Sequence, residues 1–327
     1  MAVLGPNGAG KSTLLALIAG LLRPDHGTAR LGDRLLFDVD GRGRGPALRP
    51  HERGVSMLAQ DALLFPPLSA LDNVAFGPRS AGVPRRESTR RAADWLARGD
   101  PPAPADRRPA QLSGGQAQRI PLARAPAAGP ALRPPGEPMA ALDASVAPAL
   151  RRTLRDVLAD RTAVVVTHDV LDAFTLADRV VVLAAGRVVD AGPTRAVLER
   201  PTTPFAAGLA GLDLLTGTAH GGGVRLDDGT LLTARSADAL PSGAAAAVAV
   251  RPSAARGAAG AAPGATPPEN VLDLVLTDLE PRGDVVRVRA GDVSADVPPG
   301  VVAGLDLLPG SLVRFSFDAE DAVAYLV

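Results

Sequence analysis

Apolar residues follow two patterns along the chain. Up to about residue 215, short apolar runs alternate with helically spaced stretches, the signature of strands and helices in turn. Ala2-Val3-Leu4 reads as a short strand, and Leu14-Leu15-Ala16-Leu17-Ile18-Ala19 as a helix starting near Lys11. Leu21-Leu22-Arg23-Pro24-Asp25-His26-Gly27 supplies turn chemistry, and residues 28–39 read as a hairpin. Residues 54–59 read as a strand ending at Gln60-Asp61, and 69–73 as a helix start. The stretch 85–98 reads as a helix with Ala92, Ala93, Trp95 and Leu96 inward. Residues 178–189 read as a hairpin, and residues 193–200 as a short helix.

From Gly217 onward the pattern shifts to short β-runs with tight turns. Val285-Val286-Arg287-Val288-Arg289 and Leu312-Val313-Arg314-Phe315-Ser316-Phe317 alternate with period two. Residues 252–268, rich in Gly, Ala and Pro, read as a flexible linker. The expected organisation is therefore an α/β domain over residues 1–215 and a β-rich domain over residues 216–327, with a compact β-unit at 270–327.

The chemistry concentrates in residues 1–13. Gly5-Pro6-Asn7-Gly8-Ala9-Gly10-Lys11-Ser12 fits G-x-x-x-x-G-K-[ST] between a strand and a helix. Glycines let backbone N–H groups face phosphate oxygens, and the helix N-terminus adds positive potential. Lys11 suits the β- and γ-phosphates, and the Ser12 hydroxyl suits Mg²⁺. Lys11 is the only lysine of the chain; every other fixed cation is Arg. The usage of the chain runs against Lys, yet Lys stands where a compact ammonium is wanted.

Bulk properties narrow the rest. Formal net charge is zero, with Lys+Arg and Asp+Glu at 35 each, so no broad basic field points to nucleic acid. Cysteine is absent, which excludes disulfides and thiolate metal sites. No apolar run approaches the ~20 residues of a membrane-spanning helix.

A second group of motifs follows in order. Leu112-Ser113-Gly114-Gly115-Gln116 comes well after the phosphate loop, then Ala140-Ala141-Leu142-Asp143, then Val164-Val165-Val166-Thr167-His168-Asp169. Together with the loop, Gln60 and Glu137, these resemble the signature set of ABC-transporter ATPases. The resemblance implies a P-loop NTPase fold of ABC type with a helical subdomain, and ATP and Mg²⁺ as ligands. It implies nucleotide contacts from Gly5, Asn7, Gly8, Gly10, Lys11, Ser12 and Thr13. Ser113, Gly114, Gly115, Gln116 and Asp143 would meet nucleotide held by a second copy in a head-to-tail dimer. Glu137 would activate water, His168 would orient it, and Gln60 with Ser12 would serve the metal. The terminal β-unit is similar to the small OB-like (TOBE/Mop-type) domain of molybdate-type importer ATPases. Partners implied are a membrane permease and, indirectly, a periplasmic or extracellular substrate-binding protein. The implied location is the cytoplasmic side of the membrane.

The chain departs from that pattern at three places. Gly136 stands where the family has an aspartate, preceded by Pro134-Pro135 instead of strand residues. The metal is then expected to rest on Ser12 and Gln60 with phosphates and water. Pro121 and Pro126 fall inside the helix after the signature, where an interior proline costs ~3 kcal/mol or more. The strand pair and adenine-stacking aromatic that the family has ahead of the phosphate loop are missing. Two readings follow: an ATP-hydrolysing importer subunit, and a degenerate nucleotide- or oxyanion-binding regulatory subunit that does not hydrolyse. A soluble ATPase acting on nucleic acid is disfavoured by the neutral charge and the β-domain.

Overall fold

A computed structural model describes residues 1–55, 64–97, 104–127, 147–158, 162–236, 239–257 and 269–327. The chain divides into two compact units, Met1–Thr194 and Arg195–Val327.

The first unit contains β1 (Ala2–Leu4), α1 (Lys11–Ala19), β2 (Gly27–Leu31), β3 (Arg34–Val39), α2 (Ala70–Ser80), α3 (Arg85–Ala97) and α4 (Gly114–Ala127). It continues with α5 (Ala147–Leu158), β4 (Val165–Val166), α6 (Val170–Leu176), β5 (Arg179–Ala184) and β6 (Arg187–Pro193). One sheet runs β4-β1-β5-β6. The apolar strand β1 is central and parallel to both neighbours, with Ala2 opposite Val165 and Val180. Such a strand is covered on both faces, which is why it reads as continuously apolar. Val3, Val164, Val166 and Leu183 pack with Ala9 and Leu15, so the sheet holds both the loop and the helix that follow β1. β2 and β3 form the expected hairpin.

Helices α2, α3 and α4 build a separate apolar cluster from Ala70, Val74, Ala75, Ala92, Leu96, Ile120 and Ala123. Ser69 caps α2 by accepting the Asp72 N–H at 3.1 Å. On α3 the buried face is Ser88, Ala92 and Leu96, spaced by four, and Trp95 packs partly buried beside it. Ala93, expected inward, is exposed because it falls off that stripe. Helix α4 is continuous through Pro121.

Helix α7 (Thr194–Glu199) starts at the last residue of the first unit, and α8 (Pro204–Ala210), not expected from the sequence pattern, follows in the second. The strands of the second unit are β7 (Asp213–His220), β8 (Gly223–Arg225), β9 (Leu231–Leu232), β10 (Ala245–Val250), β11 (Arg256–Gly257), β12 (Asn270–Val275), β13 (Asp278–Arg282), β14 (Val285–Ala290) and β15 (Val293–Val297). Helix α9 (Pro299–Gly304), β16 (Leu312–Phe317) and β17 (Ala322–Leu326) complete it. Among the described residues these form the antiparallel sheets β17-β10-β7-β8-β9, β11-β16-β12 and β13-β14-β15. The alternating strands point inward as their pattern predicts: Val288 on β14, and Val313, Phe315 and Phe317 on β16, are buried. They share one core with Leu215, Val224, Leu232 and Val248. The β-unit expected at 270–327 is therefore not self-contained. Its last strand pairs with β10, Val248 lying opposite Ala324. Of the expected linker, Arg256–Gly257 is strand β11, with Gly257 opposite Phe315.

Candidate functional site

The loop after β1 needs its glycines. Gly5 has φ 151°, and a Cβ there would lie 2.3 Å from the Leu183 carbonyl oxygen. Gly8 and Gly10 have φ 79° and 97°, in the left-handed region. The turn between β5 and β6 braces the loop from behind, Gly186 N–H donating to the Ala9 carbonyl at 3.1 Å. Gly10 is the N-cap of α1 and brings no side chain to it, and no acidic residue occupies the first turn. The N-terminal N–H groups of α1 thus meet no acidic or capping side chain of their own helix.

Lys11 is in the first turn of α1, where the helix dipole opposes a cation. Its Nζ donates to the carbonyls of Gly5 at 2.6 Å and Pro6 at 2.9 Å, folding back over the loop. A lysine so placed makes electrostatic sense beside an anion held by the same turn. Asn7, Gly8, Ser12 and Thr13 are exposed around it. With two glycines in the left-handed region, exposed backbone and a lysine folded over it, the loop suits the phosphates of a nucleotide.

His168 follows β4, which pairs directly with β1. The phosphate loop and His168 therefore leave neighbouring parallel strands at their carboxyl ends, the usual place for a ligand in such a sheet. His168 is exposed, while Thr167 before it is 4% exposed. Thr167 Oγ1 donates to Asp172 Oδ2 at 2.9 Å and accepts the Asp169 N–H at 3.0 Å. Asp169 caps α6 by accepting the Leu171 N–H at 2.7 Å. Arg151 of α5 binds both carboxylates, Nε to Asp172 Oδ1 at 2.6 Å and Nη2 to Asp169. Its hydrogen bond to Asp172 is the main cause that holds the guanidinium above its ordinary range.

Ser113, Gly114, Gly115 and Gln116 open α4 in the helical cluster. Ser113 and Gln116 form a capping box: Ser113 N–H donates to Gln116 Oε1 at 3.0 Å, and Gln116 N–H to Ser113 Oγ at 3.3 Å. The turn leaves Ser113 and Gly114 exposed. Gln60, Glu137 and Asp143, with Gly136, lie outside the described residues.

Three supporting side chains had no signal in the sequence reading. Arg53, 2% exposed, donates to the Leu17 and Ile18 carbonyls at 2.5 and 3.1 Å, closing the C-terminal end of α1. Burial pulls its guanidinium below the ordinary range. Asn73, fully buried, accepts the Phe65 N–H and donates to the carbonyls of Phe65, Leu68 and Ser69, pinning the entry to α2. Arg151 is the third. Each acts on groups far away along the chain or on backbone carbonyls, so no local motif marks it.

A family profile described as ABC transporter matches residues 1–138. A molybdenum import ATP-binding protein of Mycobacterium tuberculosis is 41% identical over 346 residues, spanning 99% of this chain and 90% of that protein. A spermidine/putrescine import ATP-binding protein of Acidothermus cellulolyticus is 38% identical over 76% of this chain and 65% of its own length. An Fe(3+) ions import ATP-binding protein of Streptomyces avermitilis is 41% identical over 67% of this chain and 62% of its own. Among the described residues no helix is long and apolar enough to cross a membrane.

Proposed function

The chain belongs to the ABC transporter ATPase family, and from that premise we propose that it is the ATP-binding subunit of an importer for an oxyanion such as molybdate. The observation that carries the reading is the glycine-rich loop with Lys11 folded back over it, which leaves β1 at its carboxyl end, next to the strand that leads into His168. The substrate class is supported by the likeness to the molybdenum import protein, which runs through the β-rich second unit to 99% of the chain. The likeness to polyamine and iron importers covers 76% and 67% of it.

In this reading Lys11 and the N–H groups of the loop hold the phosphates, with Gly5, Asn7, Gly8, Gly10 and Thr13 shaping the cradle. Ser12 and Gln60 are the protein's ligands for Mg²⁺, which neutralises phosphate charge when bound. Glu137 takes up or orients the proton of the attacking water, and His168 positions that water against the terminal phosphate. Ser113, Gly114, Gly115, Gln116 and Asp143 face the nucleotide of a second copy in a head-to-tail dimer. The subunit docks on a permease at the cytoplasmic side of the membrane, and a substrate-binding protein delivers the oxyanion on the far side. Positioning and charge supply most of the catalysis, since phosphoryl transfer asks for little covalent chemistry from protein.

The test is nucleotide binding and Mg-ATP turnover by the purified chain beside Lys11→Ala, Glu137→Gln and Gly136→Asp, with molybdate uptake in cells lacking their own import ATPase. Lys11→Ala is expected to abolish binding, and Glu137→Gln to abolish turnover while binding persists. Uptake should be restored by the parent and not by Lys11→Ala. Unchanged affinity in Lys11→Ala would sink the assignment. A silent parent that Gly136→Asp switches on would favour the regulatory reading, because the missing carboxylate would then be the limiting feature.

A further inference from the structure

His168 is flanked by two residues that do not hold it alone. On one side Thr167 is buried, and its hydroxyl joins the Asp169 N–H to Asp172. On the other, Asp169 is tied to the first turn of α6. Asp172 is 1% exposed and bears a carboxylate that burial would make costly unless it is paired. Its partner is Arg151, whose guanidinium reaches Asp172 and Asp169 together. A planar fork with several donors can serve two carboxylates at once; a lysine ammonium cannot do so in fixed geometry. The backbone on both sides of His168 is thus anchored, through three polar side chains, to a cation carried by α5. Arg151 lies eight residues after Asp143, another residue the proposed dimer uses at the partner's nucleotide.

We propose that Arg151 is a positioning residue: with Asp169 and Asp172 it fixes how His168 is presented to the terminal phosphate, and it makes α5 and the histidine turn respond as one body. This rests on the reading of His168 given above. Arg151 touches neither nucleotide nor water in this scheme and acts only through the turn. Its loss should therefore mimic loss of the histidine, and should add nothing once the histidine is gone.

The experiment is a double-mutant cycle on the full chain, using Arg151→Met, His168→Ala and the pair, and read as the affinity ratio between a non-hydrolysable ATP analogue and ADP. This ratio needs no turnover. His168→Ala is expected to lower the preference for the triphosphate about tenfold, a typical cost of one charge-assisted contact. Arg151→Met should lower it by a similar factor with ADP affinity unchanged, and the pair should be no worse than His168→Ala. Arg151→Lys should recover part of the preference, and it carries the cycle if the Met variant does not fold. A preference unchanged by Arg151→Met or Arg151→Lys overturns the proposal while His168 keeps its role. So does multiplication of the two effects in the pair, the mark of a merely structural residue. A preference unchanged in His168→Ala overturns the reading of His168, and the proposal falls with it.

Discussion

At the scale of single residues, Asp213 shows how a buried carboxyl holds two strands together. It is 7% exposed, accepts Ser294 N–H at 2.6 Å and Ser294 O–H at 2.7 Å, and so joins β7 to β15. Burial pushes its carboxyl above the ordinary value of 3.8, although Ser294, Arg287 and Arg289 pull the other way. A carboxyl raised on folding favours the native state while protonated. Its ionisation subtracts stability as pH rises from the ordinary value through the native one. Asparagine at this position can accept the N–H and donate to the hydroxyl without a charge. Asp213→Asn should therefore gain on the parent as pH rises across that window and hold a constant difference above it. Asp213→Ala, which orphans the Ser294 N–H, should lose ~1–3 kcal/mol. Denaturant titrations at a series of pH values check both, and a difference between parent and Asn variant that is flat in pH would refute the first. The glycine-rich loop around Lys11 is legible in the sequence because its conformation is set by its own neighbours, whereas Asp213, Arg53 and Arg151 are not, since nothing near them in the chain names their partners.

Among elements, those whose signals are local were readable. The strand–loop–helix of β1 and α1, the β2–β3 hairpin, the helix start at 69–73 and the alternation of β14 and β16 all stand where the pattern puts them. Helix α8 stands where no element is expected, although its start is locally marked: Thr203 accepts the Ala206 N–H at 3.2 Å and Pro204 takes the first turn. Helix α4 shows propensity overruled. Pro121 is buried in its interior and offers no N–H to the Ala117 carbonyl, yet the helix continues, held by apolar contacts of Ile120 and Ala123 with α2 and α3. Tertiary packing thus offsets a local cost. Removing the cost while keeping the packing should stabilise the first unit, so Pro121→Ala is expected to add up to about 3 kcal/mol. The emission of Trp95, the only tryptophan and packed in the same cluster, reports that unfolding. A loss of stability would mean that burial of the ring outweighs the missing hydrogen bond.

The whole molecule carries what no local pattern can state, namely which strands meet across long stretches of chain. The alternation of the last sixty residues marks strands, but the partner of β17 is β10, in register from Ala246 opposite Leu326 to Val250 opposite Ala322. Strand β10 pairs on its other edge with β7, which makes it central. Tyr325 extends the tie: it is 2% exposed, packs with Ala207, Leu214, Ala247 and Ala249, and donates its hydroxyl to the Pro201 carbonyl at 2.8 Å. Strand β17 therefore completes the sheet that starts the second unit, and this core closes only once β17 is in place. Closure of such non-local contacts costs loop entropy before it is rewarded, so the strand should act late and cooperatively. Deleting residues 319–327 should then free β7 and β10 as well as the deleted edge, and backbone amides of 213–220 and 245–250 should lose their protection from hydrogen exchange. Tyr325→Phe, which only unpairs the Pro201 carbonyl, should cost ~1 kcal/mol and leave the protection pattern in place. If the truncated chain kept β7 and β10 protected, residues 213–250 would be a self-standing layer and the shared core would not be what stabilises them. Loss of protection throughout the sheet would instead mean that the second unit folds as one piece, with its last strand as the closing element.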